Sequence, residues 1–128
     1  MPLPRTEGRH MTRPTEAFKL VDASEWEAAR AQGVYTGSAV DRADGYIHMS
    51  TALQLAETAR RHYAGRGNLL LLTVPLEGLG DALRWEPSRG GDLFPHLYAP
   101  LAISAVTAVR ACSVAPDGTM RFEDEPRA

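Results

Sequence analysis

Apolar positions divide this chain into short segments whose spacing keeps changing. Ala17–Val21 (A-F-K-L-V) reads as a first strand. Trp26, Ala29 and Arg30 then fall at helical spacing, with Asp22 and Ser24 as competing N-caps, Glu25 and Glu27 three residues on, and Gly33 as the stop. After Gly37–Val40, the stretch D-R-A-D-G (Asp41–Gly45) reads as a turn, with Asp41 and Asp44 as turn formers. Tyr46–Ser50 has the aromatic and β-branched start of a strand. Thr51 and Gln54 form a capping box for a second helix, whose apolar stripe is Leu53, Ala56, Ala59 and Tyr63, with Leu55 alongside.

Leu69–Pro75 is a continuous apolar run, as expected of a central strand covered on both faces. Leu83–Glu86 and Phe94–Tyr98 are strand-like pieces around the glycine-rich loop Pro87–Asp92. Ile103–Arg110 alternates as a half-buried strand does, and the P-D-G turn beyond Val114 predicts a small hairpin. The order β-α-β-β-α-β-β-β-β predicts an α+β fold with a mostly antiparallel sheet and two main helices. The boundaries expected are a disordered N-terminal tail over 1–16, one domain over 17–115, and a C-terminal turn with an acidic tail over 116–128.

Composition narrows the function classes. The length of 128 residues suits one domain. Cys112 is the single cysteine, which excludes an intramolecular disulfide and a cysteine-rich zinc site. It follows an apolar strand and is expected to be buried. Thirteen of the fourteen basic residues are arginine. They stand against 16 acidic residues, and a net charge of −2 argues against broad electrostatic binding to nucleic acid or an anionic membrane. Asp117, Glu123, Asp124 and Glu125 against Arg121 and Arg127 place that −2 in the last twelve positions, so a single nucleotide end held by Arg89 stays compatible with it. No apolar run approaches the roughly 18 residues of a membrane span. The N-terminus lacks the apolar core of a secretory signal, and a cytoplasmic location is expected.

Two clusters carry candidate chemistry. Period-2 geometry sets Tyr46, His48 and Ser50 on one strand face, against Ile47 and Met49 on the other. Ser50 and Thr51 then open a helix, whose free N–H groups favour an anion or an oxygen-rich ligand. The second cluster gathers Glu86, Arg89, His96 and Tyr98, with Phe94, within thirteen positions. A carboxylate, a guanidinium, an imidazole and a phenol suit sugar hydroxyls, phosphate and an aromatic ring. Each cluster also has a purely structural reading. His48 serves as a structural histidine, or Arg89 and Glu86 form an ion pair beside a His96–Tyr98 hydrogen-bond network. His48, His62 and His96 lack zinc-motif spacing, so no metal is expected.

E-W-x-x-A-x-x-x-G (Glu25–Gly33), G-S-A-V-D-x-A-D-G-Y-I-H-M-S (Gly37–Ser50), L-R-W-E (Leu83–Glu86) and F-P-H-L-Y (Phe94–Tyr98) together resemble the family called domain of unknown function 952, over roughly residues 17–110. That family is similar in fold to the ADP-ribosyltransferase superfamily, which implies a split β-sheet with an NAD-binding cleft. The resemblance implies that His48, with Ser50 and Thr51, bonds the nicotinamide ribose. It implies an aromatic on nicotinamide, Tyr63 or Tyr98, and a late catalytic group, Glu86 or His96. Met49 departs from the glycine common at its place. The expected site is thus His48, Glu86 and His96 as catalytic groups, with Tyr46, Ser50, Thr51, Arg89 and Tyr98 binding NAD as substrate. The alternative is a non-catalytic pocket for a nucleotide or another small metabolite.

Overall fold

The computed structural model describes residues 14–123, with the side chain of Arg89 excepted. Most of the expected N-terminal tail (1–13) and the acidic end (124–128) therefore lie outside the described residues. Strand β1 (Glu16–Asp22) leads into helix α1 (Ala23–Gln32), strand β2 (Val34–Tyr35), helix α2 (Ala39–Asp44), strand β3 (Ile47–His48) and helix α3 (Ala52–His62). Strands β4 (Leu69–Pro75), β5 (Leu83–Pro87), β6 (Leu93–Leu97), β7 (Leu101–Ala102), β8 (Ala108–Val114) and β9 (Met120–Phe122) follow.

Every strand pairing among the described residues is antiparallel. The sheets run β1-β4-β8-β9, β3-β6-β5 and β2-β7. The fold is a small α+β architecture with the described strands divided among three sheets.

Strand β4 explains the larger sheet. It lies between β1 and β8, so both backbone edges are paired. Its side chains alternate between two cores. Leu72 and Val74 join Ala17, Val21, Trp26, Tyr35, Ile47, Met49, Leu97 and Leu101. Leu69 and Leu71 join Leu20, Ala59, Cys112 and Val114 on the opposite face. A strand that feeds a core on each face is dominated by apolar residues, with the partly buried Thr73 as its one hydroxyl.

Helix α1 ends at Gly33 as expected, in a left-handed conformation (φ 86°) that glycine adopts without strain. At its start Asp22 is the N-cap but makes no side-chain cap bond; its carboxylate meets Arg66 at 2.6 Å instead. Thr51 and Gln54 form the expected capping box of α3.

Four expectations need correction. The expected apolar stripe of α3 fails at Leu53, 97% exposed, and at Ala56, also exposed, because the helix turns Leu55, Ala59 and Tyr63 toward the core of Leu20, Leu69 and Leu71. Residues 39–44, including Asp41 and Asp44, form helix α2 rather than a turn, which makes three α-helices among the described residues instead of two. Ile103–Arg110 is not one strand: a 3-10 turn occupies Ile103–Ala105 and β8 starts at Ala108. The first strand begins at Glu16, inside the stretch expected to be tail. The hairpin beyond Val114 is present as the β8–β9 pair, with Val114 opposite Met120.

Candidate functional site

The capping box of α2 starts the site. Ser38 Oγ accepts from the Asp41 amide at 3.2 Å, and Asp41 Oδ2 accepts from the Ser38 amide at 2.9 Å. This reciprocal cap points the Asp41 carboxylate inward, where only 3% of the side chain is exposed. Gly37 leaves room for it. A Cβ at that position would lie 2.7 Å from the Asp41 Cβ, and the backbone there sits at φ 109°.

Asp41 gathers three more donors. Lys19 Nζ approaches Oδ2 at 3.1 Å, while the His48 amide (3.1 Å) and His48 Nδ1 (2.6 Å) meet Oδ1. Lys19 Nζ also donates to the His48 carbonyl at 2.9 Å. A carboxylate accepts about four hydrogen bonds, so Asp41 is saturated by its own chain. Burial pushes the Asp41 carboxyl up, but the His48 hydrogen bond, the Lys19 charge and the two amides outweigh it and hold the group well below its ordinary value. For Lys19, burial dominates and lowers the ammonium, opposed by the charge and hydrogen bond of Asp41.

His48 therefore has its Nδ1 fixed from within. Its Nε2 faces Asp44 Oδ2 at 2.9 Å, and Asp44 is about half exposed. Lys19 and Asp41 were absent from the residues selected by sequence, although a lysine on the strand face of Ala17 and Val21 is the kind of buried charge that demands a partner.

The second cluster meets the first through strand register. In the β3–β6 pair His48 stands opposite His96, and in β5–β6 Arg84 stands opposite His96 and Glu86 opposite Phe94. Directly opposed residues share a face, so both histidines and Glu86 converge. His96, 2% exposed, holds its Nδ1 2.8 Å from Glu86 Oε1, and the Tyr98 hydroxyl donates to the same oxygen at 2.7 Å. Those two hydrogen bonds keep the Glu86 carboxyl below its ordinary value, and the one from Tyr98 pushes its own phenol up. Tyr46 stacks on His96 at 4.2 Å, with His48 at 4.5 Å and Tyr98 at 5.0 Å; the two imidazole centres are 5.5 Å apart. Burial and the negative charges of Asp44, Glu86 and Asp41 raise the Tyr46 phenol.

Ser50 and Thr51 sit beside this group with their side chains turned to structural partners. Ser50 is buried, its Oγ 2.8 Å from Thr58 Oγ1, and its backbone bridges Phe18 of β1. The Thr51 hydroxyl accepts from the Gln54 amide. Arg89 lies in a short 3-10 turn, and the placement of its side chain is outside the described residues. Tyr63 sends its hydroxyl to the Leu20 carbonyl at 3.1 Å, so Tyr98 is the aromatic of the cluster. A cleft of about 650 Å³ runs along β1 past Lys19, Asp41, Asp44, His48, Ser50 and His96, and its lining stops short of Tyr46, Glu86 and Tyr98. That volume suits a small-molecule ligand. Among the described residues no group of three or more His, Cys, Asp or Glu side chains could hold a metal ion. No described helix is long and apolar enough to cross a membrane.

Residues 20–109 match the family model for "Protein of unknown function (DUF952)". The crystal structure of protein CC0527 from Caulobacter crescentus is similar with a TM-score of 0.80 and 48% identity, over 84% of this chain and 94% of that one. The solution NMR structure of CC0527 from the same organism has a TM-score of 0.73 and 50% identity, over 81% and 90% of the two chains. No curated protein matches the chain.

Proposed function

The chain belongs to the DUF952 family, whose description leaves activity open, and from the geometry of its site we propose that it binds NAD and cleaves the nicotinamide–ribose bond. One observation carries this reading. Two clusters nearly fifty residues apart in sequence meet at His48 and His96, each imidazole fixed at Nδ1 by a carboxylate. Such fixation presents a ring in one orientation, as a reacting site requires.

The chemistry follows from the surrounding charge. The Glu86 carboxylate favours a cationic pyridinium over an anion, and the Tyr46–Tyr98 surface offers it an aromatic partner. In the proposed step the C1′–N bond breaks and its electron pair leaves with neutral nicotinamide. The oxocarbenium left at C1′ is stabilised by the Glu86 carboxylate. Water or an acceptor nucleophile then attacks C1′ and passes its proton to Glu86 or to solvent. His48 holds the ribose, and Arg89 is assigned to the pyrophosphate. Ser50 and Thr51 contribute by shaping the corner between β3 and α3.

Binding without bond cleavage is the second reading, and the state of Glu86 favours it. Both hydrogen bonds fall on one oxygen and lower its basicity, which weakens it as a proton acceptor. Calorimetric titration with NAD, combined with a nicotinamide-release assay, separates the two. The expected outcome is binding that His48→Ala weakens about tenfold or more, with nicotinamide release abolished in Glu86→Gln. Binding without release selects the binding module. Equal affinity in wild type and His48→Ala removes this site from either reading.

A further inference from the structure

We infer that Asp41 and Lys19 are positioning residues for His48, and that Asp44 is the internal stand-in a ligand replaces at Nε2. This rests on the reading of His48 as the ligand-facing imidazole.

The two carboxylates around His48 differ in every respect that bears on role. Asp41 is buried, takes Nδ1 at 2.6 Å and the backbone amide of the same residue, and has no acceptor site left for a ligand. Holding ring and backbone of one residue on one oxygen fixes the side chain relative to its own strand. Lys19 closes the arrangement by gripping the other oxygen of Asp41 and the His48 carbonyl. Asp44, by contrast, is the last residue of α2, about half exposed, and meets the ring at Nε2. An exposed pair of this kind is worth little and exchanges readily, whereas removing one member of a buried pair leaves an uncompensated charge. The ring therefore has one permanent contact and one exchangeable contact, and the exchangeable one opens on the cleft.

Lys19 is also the single lysine in a chain that otherwise uses arginine. A compact ammonium reaches a carboxylate oxygen and a carbonyl at once here, where a planar guanidinium would present a fixed fork of donors. Side-chain chemistry at this position is thus set by the histidine it supports.

The test reads the ring nitrogens directly. In 15N-labelled protein, long-range 1H–15N spectra report which nitrogen of His48 carries a proton, with His48→Gln identifying the signals. Wild type is expected to show a protonated, ordered Nδ1. The double variant Asp41→Asn/Lys19→Met removes both buried charges together, so it avoids stranding either one, and is expected to lose that signature. Asp44→Asn is expected to leave Nδ1 unchanged and to bind NAD as tightly as wild type or more tightly. On nicotinamide release, the double variant is expected to lose about tenfold or more in kcat, with KM within about twofold because the exchangeable contact is intact. Unchanged His48 nitrogen signals in a folded double variant would overturn the inference, as would a larger effect at Asp44 than at Asp41. If the double variant does not fold, Asp41→Glu keeps the charge but moves the oxygens, and an unmoved ring there counts equally against the assignment. If wild type neither binds NAD nor releases nicotinamide, the proposed activity fails while the nitrogen spectra still decide the positioning role.

Discussion

Lys19 occupies a strand position that a purely hydrophobic pattern would fill with valine or isoleucine, and its cost is offset by a carboxylate 22 positions away in the chain. The pairing makes stability pH-dependent in a defined direction. Asp41 has a folded value far below the roughly 3.9 of an unfolded aspartate, so on acidification the unfolded chain takes up a proton that the folded chain refuses. Its contribution is complete above that unfolded value and is lost as pH falls toward the folded one. Lys19 acts at the alkaline end. Its folded value lies below the unfolded value of about 10.4, so the unfolded chain holds more protons between the two and stability rises with pH there. The urea midpoint of wild type is expected to decline between pH 5 and pH 3, and to decline less in Asp41→Asn/Lys19→Met. Asp41→Asn alone is expected to cost about 3–5 kcal/mol at pH 7, because it strands a buried ammonium. Parallel acid profiles in wild type and double variant would show that other carboxylates control acid stability. Sequence spacing could place His48 and His96 on strand faces, but a buried ion pair follows from tertiary packing and leaves only one local trace, a charge among apolar neighbours.

At the scale of elements, legibility tracked how strongly each segment keeps the usual rule of apolar inside and polar outside. Helix α3 keeps it at Leu55, Ala59 and Tyr63, though Leu53 is 97% exposed, and it carries both members of its capping box, so it is legible from Thr51 onward. Helix α2 inverts it: Val40 is 64% exposed while Asp41 is the buried residue. Six residues with the carboxylate inward and the valine outward give no helical stripe, and glycine at both ends reads as a turn. The two caps can be compared directly. Thr51→Ala removes an ordinary cap and is expected to cost about 1 kcal/mol in chemical denaturation, with His48 unaffected. Ser38→Ala removes a cap whose partner is Asp41, so the same measurement is expected to give a similar loss accompanied by a lower kcat for nicotinamide release. An equal kcat in both variants would show that α2 is merely a scaffold, separable from the site.

For the whole molecule, β1 is the shared wall. One edge pairs with β4 along its full length, and the other meets Ser50 through two backbone hydrogen bonds of 2.8 and 2.9 Å at Phe18. Its alternate side chains face the two cores, with Lys19 among those on the side of Ala17 and Val21. The convergence of the histidines depends on this long-range arrangement, which is why His48 and His96 can be singled out in sequence while their contact, and the Lys19–Asp41 pair behind it, cannot. Because β4 also lends residues to both cores, the two should open together as one cooperative unit. Cys112 makes that measurable: it is fully buried beside Leu69 and Leu71, and burial pushes its thiol up to about 11. A thiol reagent should label it only through opening, at a rate that tracks the population of the open state. Leu71→Ala, in the same core as the cysteine, and Leu72→Ala, in the opposite core, are each expected to lose about 2–5 kcal/mol. With one cooperative unit, labelling accelerates about tenfold for each 1.4 kcal/mol lost, whichever core carries the substitution. If Leu72→Ala destabilised the protein but left Cys112 labelling at the wild-type rate, the cores would be opening separately. The wall that brings Lys19 to His48 would then answer to only one of them.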